Sequence, residues 1–293
     1  TIKHAFGIVY CMASGNHQST REGATTKHVQ PGFAASHAVL AAQMAAAGLD
    51  GVQQPLAGED GLARVYLRDE FDPARAMSEL GAQFEIDRLS FKPYPTCRLT
   101  HPAISAALRL RATLGADVNR IDRLELVIGP QAHDVVGRAT PARLNPQTRV
   151  AAQFSVHWAV AAALLYGELT PRQLLDEIPP SPRMQALIAR ITCTPDTAAA
   201  QRDVGGCRLR AHGAFGTRDV SEANAKGHPD NPLSARELRA KFNANVRLAG
   251  FDDAAADELA AAIFAIDNAD NVAPLLARLT DFSARADTQI KSA

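Results

Sequence analysis

The stretch Arg149 to Tyr166, RVAAQFSVHWAVAAALLY, constrains this chain more than any other, because it is apolar around the whole circumference of a helix. A helix without a polar side cannot lie on a surface and must be enclosed by other elements. The chain therefore needs a core able to surround it. At 293 residues it is long enough to build one, as a single large domain or, as we expect, two ordinary ones.

Other segments supply the enclosure. Ile121 to Ile128 alternates, with Leu124, Leu126 and Ile128 on one face and Arg123, Glu125 and Val127 on the other, which predicts a half-buried strand. Ile191 to Thr194 and Cys207 to His212 are shorter strand candidates, and Phe84 to Phe91 has strand spacing at Phe84, Ile86, Leu89 and Phe91. Pro93 and Pro95 fix an extended loop before a helix from about Pro102 to Leu114, with Thr100 as candidate cap. Pro171 and Pro182 open short helices capped by Thr170 and Ser181. Gly129 to Thr148, polar and holding three prolines, reads as a long loop able to cover a site.

On either side the chain is helical. Ala5, Ile8, Val9 and Met12 share one face of an N-terminal helix, Phe33 to Ala47 has helical spacing closed by Gly48, and a further helix lies around Pro73 to Leu80. Toward the C-terminus, Ser234 and Glu237 form a capping box for a helix to about Leu248, Asp252-Asp253 opens another to Ile266, and Val272 to Leu279 closes the set. This order predicts the α+β class: a mainly helical, discontinuous large domain, residues 1–82 and 219–293, with a smaller α+β lid domain, residues 83–218, inserted. A crevice between them is where a pocket is expected.

Lys+Arg 31 balances Asp+Glu 31, so nothing in the net charge calls for nucleic acid or an anionic membrane as partner, and any anion site must be local. Cys11, Cys97, Cys193 and Cys207 are too scattered for a disulfide framework or a zinc ribbon, which fits reduced thiols in a cytoplasmic protein. No apolar run is long enough to span a bilayer, and Thr1 to Gly15 lacks a secretory layout.

The chemistry-bearing candidates are few. In TTKHVQPGF, Pro31 and Gly32 interrupt regular structure and place Lys27 and His28 on a loop entering a helix, where the helix N-terminus favours an anion; a solvated lysine is the plainer reading. Lys92 and His101 flank the proline loop. Cys97 and His101 have a spacing that suits two metal ligands on a helix, but the prolines favour a loop and no further ligands lie nearby, so no metal is expected. His157 is either a satisfied core histidine or a catalyst. Nucleophile-elbow, Walker, Rossmann and H-E-x-x-H patterns do not occur.

Four blocks, GATTKHVQPGFAASHAVLAAQMAAAGLDG, FKPYPTCRLTHPAISAAL, QFSVHWAVAAALLYGELT and KGHPDNPLSARELRAKF, resemble the MmgE/PrpD family in the same order. That family includes 2-methylcitrate dehydratase, cis-aconitate decarboxylase and an iminodisuccinate epimerase. The resemblance implies a homodimer with an active site in the cleft between a helical domain and a lid, working on a small polycarboxylate without metal or other cofactor. Lys27, Lys92 and His101 match the family's catalytic positions. His28, Gln30, Cys97, His157 and Trp158 are candidates for substrate contacts. Gln30 stands where many members have histidine, and Cys97 and Trp158 stand where the decarboxylases have a histidine and a tyrosine, which weakens decarboxylation in particular. The family also implies a helical segment before Ala5 that carries an aspartate and a histidine of the site, so part of the site is expected to lie outside these residues.

The expected reaction is proton removal next to a carboxylate followed by elimination, with the lysines clamping carboxylates and His101 acting as acid or base. Epimerisation of an amino- or imino-dicarboxylate is one alternative. A catalytically incomplete chain that keeps the fold and dimer interface is the other.

Overall fold

The computed structural model describes residues 1–67, 70–198 and 205–277. The class is α+β with a helical majority. The chain divides into two compact units, Thr1–Leu89 with Thr148–Ala151, and Ser90–Gln147 with the chain from Ala152 onward.

The first unit contains α1 (Ile2–Cys11), α2 (Gln18–Glu22), α3 (Thr26–Ala46), α4 (Leu62–Leu67) and α5 (Pro73–Met77). The apolar face predicted on α1 packs against α3: Ile8, Ala41 and Ala45 are buried together, with Ala5, Val9, Met12 and Met44 against them. Gly48 ends α3 with φ +95°, the left-handed conformation that glycine adopts without a Cβ penalty.

Two expectations in this unit are corrected. Helix α3 does not begin after Pro31-Gly32 but at Thr26, so Lys27 and His28 lie in its first turn rather than on an entering loop. Pro31 stands inside α3, where it leaves one carbonyl of the ladder without its N–H partner. Phe84 to Phe91 is not a strand. Without a ladder neighbour the backbone closes on itself as a 3-10 turn over Glu85–Arg88, Asp87 N–H donating to Phe84 C=O at 3.1 Å, and Phe84, Ile86, Leu89 and Phe91 are exposed.

The second unit holds α6 (His101–Leu114), β1 (Ile121–Ile128), α7 (Pro130–Ala132), α8 (Pro141–Leu144), α9 (Arg149–Gln153, shared with the first unit), α10 (Val156–Tyr166), α11 (Pro171–Asp176) and α12 (Pro182–Ile188). It continues with β2 (Ile191–Pro195), β3 (Cys207–Gly213), β4 (Gly216–Glu222), α13 (Ala235–Leu248) and α14 (Asp253–Phe264). The sheet order is β2-β1-β3-β4, with β1 parallel to β2 and antiparallel to β3. Leu124, Leu126, Ile128, Leu209 and Ala211 turn to the buried face, against which α6 packs, with α10 against α6. On the outer face Arg210 bridges Glu125 at 3.6 Å and Asp219 at 3.1 Å.

The apolar segment is enclosed as required, every residue from Val156 to Leu165 being buried. It is not one helix from Arg149, however. Ser155 adopts an extended conformation and caps α10, its Oγ accepting from Trp158 N–H at 3.0 Å, so the chain turns before the buried helix starts. The segment Gly129 to Thr148 is more structured than a loop: α7 and α8 flank a π-turn over His133–Gly137. Strand β4 is an addition to the expected set; its burial is shallow, which left no period for sequence reading to detect. The capping box at Ser234–Glu237 forms as predicted. Residues 273–277 are helical, and the remainder of the last predicted helix lies outside the described residues.

Leu126, fully buried on β1, should lose about 3 kcal/mol of stability as Leu126→Ala in urea unfolding, the usual cost of a core cavity. Arg123→Ala, on the solvated side of the same strand, should cost under about 1 kcal/mol. Equal losses would contradict this assignment of faces.

Candidate functional site

The predicted residues fall in different units. Lys27, His28 and Gln30 belong to the first; Lys92, Cys97, His101, His157 and Trp158 belong to the second.

In the second unit the site is built on the loop Ser90 to Thr100. Its prolines exclude regular hydrogen bonding, so its polar groups are satisfied one at a time. Cys97 N–H donates to Gln153 C=O at 2.9 Å, Gln153 Nε2 donates to Pro95 C=O at 2.9 Å, and the Thr96 and Thr100 hydroxyls pair at 2.8 Å. Thr100 does not cap α6 with its side chain, because its Oγ1 donates back to Cys97 C=O at 2.8 Å. The chain passes from a 3-10 turn, Arg98–Thr100, straight into α6, and His101 is the first residue of that helix.

His101 is buried, 2 % exposed, with the Tyr94 ring edge-on at 5.2 Å between centroids. Its ring hydrogen-bonds to the Thr96 backbone, while Nε2 has no partner. The bond to Thr96 favours the protonated ring, so the ring donates it from Nδ1, and the neutral tautomer leaves a lone pair on Nε2. Burial pushes the pKa down to about 4, opposed by that bond and reinforced by the positive charges of Lys92, Arg98 and Lys241. Burial also raises the Tyr94 phenol above its ordinary range, and its OH lies 3.4 Å from Ser105 Oγ.

The charges of three cations thus act on a neutral histidine. None of Lys92, Arg98 or Lys241 makes an ion pair among the described residues; the acids near Tyr94 are engaged elsewhere, Glu222 with Arg109 at 3.4 Å and Glu237 with Lys226 at 3.1 Å. Excess positive charge beside a low-dielectric wall attracts anions. Arg98 and Lys241 were not among the sequence candidates. Arg98 stands three residues before His101 and was open to notice; Lys241 reaches the loop from 149 residues away, and no local pattern announces it.

His157 is fully buried on α10 with neither ring nitrogen hydrogen-bonded, and burial, with the charges of Arg143 and His133, pushes its pKa down to about 4. Trp158 is committed to the core, its Nε1–H donating to Glu177 C=O at 3.2 Å. Cys97 and Cys193 are half-buried, Cys207 is buried and Cys11 is exposed. Among the described residues no three His, Cys, Asp or Glu side chains group to hold a metal ion, and no helix is long and apolar enough to cross a membrane.

In the first unit Lys27 is half-buried in the first turn of α3, His28 is exposed, and Gln30 Nε2 donates to Asn16 C=O at 2.9 Å. Gln30 also lines a cavity of about 800 Å³ walled by Phe6, Tyr10, Phe33 and Leu56. Among the described residues its wall holds no lysine or arginine; Glu22 and His37 are its ionisable acid and base. That wall lacks the fixed positive charge found near His101, so the His101 cluster is the better candidate for a carboxylate despite the cavity's size.

Residues 1–74 match the MmgE/PrpD N-terminal domain and residues 94–264 match the MmgE/PrpD C-terminal domain. No curated protein matches the chain.

The two buried histidines carry a pH signature. Each titrates near 4 when folded against 6.5 when exposed, so between these values the unfolded chain takes up protons that the folded chain refuses. Their contribution is intact above pH 6.5 and is lost as pH falls toward 4, on the order of 3 kcal/mol for each ring. NMR titration should find the His101 ring neutral down to about pH 4, and a midpoint above 6 would contradict the site as described.

Proposed function

The chain belongs to the MmgE/PrpD family, and we propose that it acts on a small polycarboxylate by removing a proton next to a carboxylate, with elimination as the outcome. Family membership supports a dehydratase-like lyase function in the coarse sense. The finer reading rests on one observation: a neutral histidine whose Nε2 has no hydrogen-bond partner feels the charges of three cations that make no ion pair among the described residues.

A carboxylate group would be bound by Lys92 and Arg98. Arg offers a planar fork for bidentate contact, and Lys offers a compact point charge. As Nε2 of His101 takes the α-proton, negative charge grows on that carboxylate, where the cations stabilise it more than they stabilise the ground state. The electron pair left on the α-carbon forms the double bond as the β-substituent departs. A histidine kept neutral at pH 7 is the correct protonation state for a base. Lys27 is kept as a catalytic candidate by its match to the family position.

The protein is further proposed to be a homodimer and cytoplasmic, needing neither metal nor other cofactor. Exposed Val29, Phe33, Val39 and Leu40 on α3 support a partner for that helix.

Lys92→Ala should lower kcat/KM at least about 100-fold with 2-methylcitrate or citrate as probe, followed by absorbance of the unsaturated product, as losing one charge-stabilising donor does elsewhere. Near-normal turnover in that variant would overturn the assignment of Lys92, and no turnover by the unaltered chain on either acid would overturn the substrate class.

A further inference from the structure

We propose that Lys241, acting with Gly227, is a positioning residue: the loop Lys226 to Asn231 and helix α13 form a mount that fixes the backbone of Lys92 and so aims its ammonium at the anion site. The inference rests on the reading of Lys92 given above and adds the device that holds it.

The geometry is a grip from two sides. Phe91 N–H donates to Gly227 C=O at 2.9 Å, and Lys241 Nζ donates to Lys92 C=O at 2.5 Å. Gly227 has φ +88°, and a Cβ there would stand 1.9 Å from Phe91 O, so only glycine permits the loop to approach this closely. The loop is itself braced. Gly227 N–H donates to Asn231 C=O at 2.8 Å, Asn231 Nδ2 donates to Asn224 C=O at 2.8 Å, and His228 and Asn231 form an isolated β-bridge.

Loop and helix are tied to each other as well. Lys226 pairs with Glu237 at 3.1 Å, and Glu237 belongs to the Ser234 capping box that starts α13. One turn further along that helix stands Lys241. The segment Phe91-Lys92 is therefore held by the two ends of a single braced piece, residues 226 to 241.

The choice of donor is informative. A neutral amide would bond the Lys92 carbonyl without adding charge, whereas an ammonium places a second cation next to Lys92 and His101. Without an anion this arrangement is self-repelling. With a polycarboxylate bound, the same charges are neutralised, so the mount contributes both placement and field.

The test uses Lys241→Met, Lys241→Arg and Gly227→Ala in the whole chain, with two independent readouts. Amide hydrogen exchange is the first: Lys241→Met should speed exchange at Phe91 about tenfold or more while leaving Leu126 and Leu209 protected, Gly227→Ala should do the same, and Lys241→Arg should keep wild-type protection. This arm needs no ligand and is decisive even if the chain turns over no acid. Unchanged protection at Phe91 in Lys241→Met would overturn the proposal while leaving the proposed reaction standing.

Citrate binding by calorimetry is the second. Lys241→Met should weaken it about tenfold in the wild-type background and clearly less in Lys92→Ala, where only the charge of Lys241 is lost and not also the placement of Lys92. An equal loss in both backgrounds would show that Lys241 acts on its own and would overturn positioning. Should the unaltered chain bind no citrate, the proposed substrate class fails and the exchange arm alone decides the mount.

Discussion

The burial of α10 is the constraint on which the second unit depends. A helix with no polar face gains free energy only when every side is covered, and here α6, α8 and α12 cover it while α6 in turn packs on β3 and β4. Trp158, the largest side chain in this core, can be accepted only because its one polar atom finds the Glu177 carbonyl. Helix α6 is thereby fixed between α10 and the sheet. His101, its first residue, inherits a defined position and a dry environment from packing that has no chemical role of its own.

That dryness sets the electrostatics. For His101 the burial cost of a charged ring is the largest influence, the neighbouring cations act in the same direction, and the Thr96 bond opposes both without prevailing. The same cations that disfavour a charged ring make the surroundings attractive to an anion. A carboxylate arriving beside Lys92 would cancel part of the positive field and raise the proton affinity of Nε2 when a proton is to be taken. Lys92 lies exposed, where salt screens its charge, whereas His101 does not. Ionic strength should therefore affect anion binding at Lys92 more than the protonation of His101.

Sequence patterns conveyed most of the architecture, and the exceptions have physical causes. Strand β1 was legible because burial imposes alternation on a half-covered strand, and the caps at Thr170, Ser181, Ser234 and Asp252 were legible because they are local chemistry. Phe84 to Phe91 shows the limit of period-two reading, which reports a side-chain rhythm and not whether a ladder partner exists. At Ser155 a run of apolar residues concealed a cap, since hydrophobicity dominated the reading of a segment whose break lies in one hydroxyl. Lys92 and His101 could be named from the sequence as the ends of a proline loop. The role of Lys241 could not, because a bond between residues 149 apart leaves no trace in spacing.

A lysine is an awkward residue on which to build a defined site. Its stem carries about 2 kcal/mol of rotamer entropy, and in the absence of a ligand an exposed ammonium samples many positions. The structure does not restrain the Lys92 side chain with a counter-ion; it restrains the backbone from which the side chain springs, by Gly227 on one side and Lys241 on the other. The difference matters for binding. A lysine already paired with a carboxylate would have to break that pair before taking substrate, at a desolvation cost that falls on affinity. A lysine with a fixed root and a free tip surrenders only the stem's entropy, and surrenders it when the anion is present to offset it. Holding the carbonyl with a second ammonium extends the same logic, because the restraint itself adds to the field that draws the anion in.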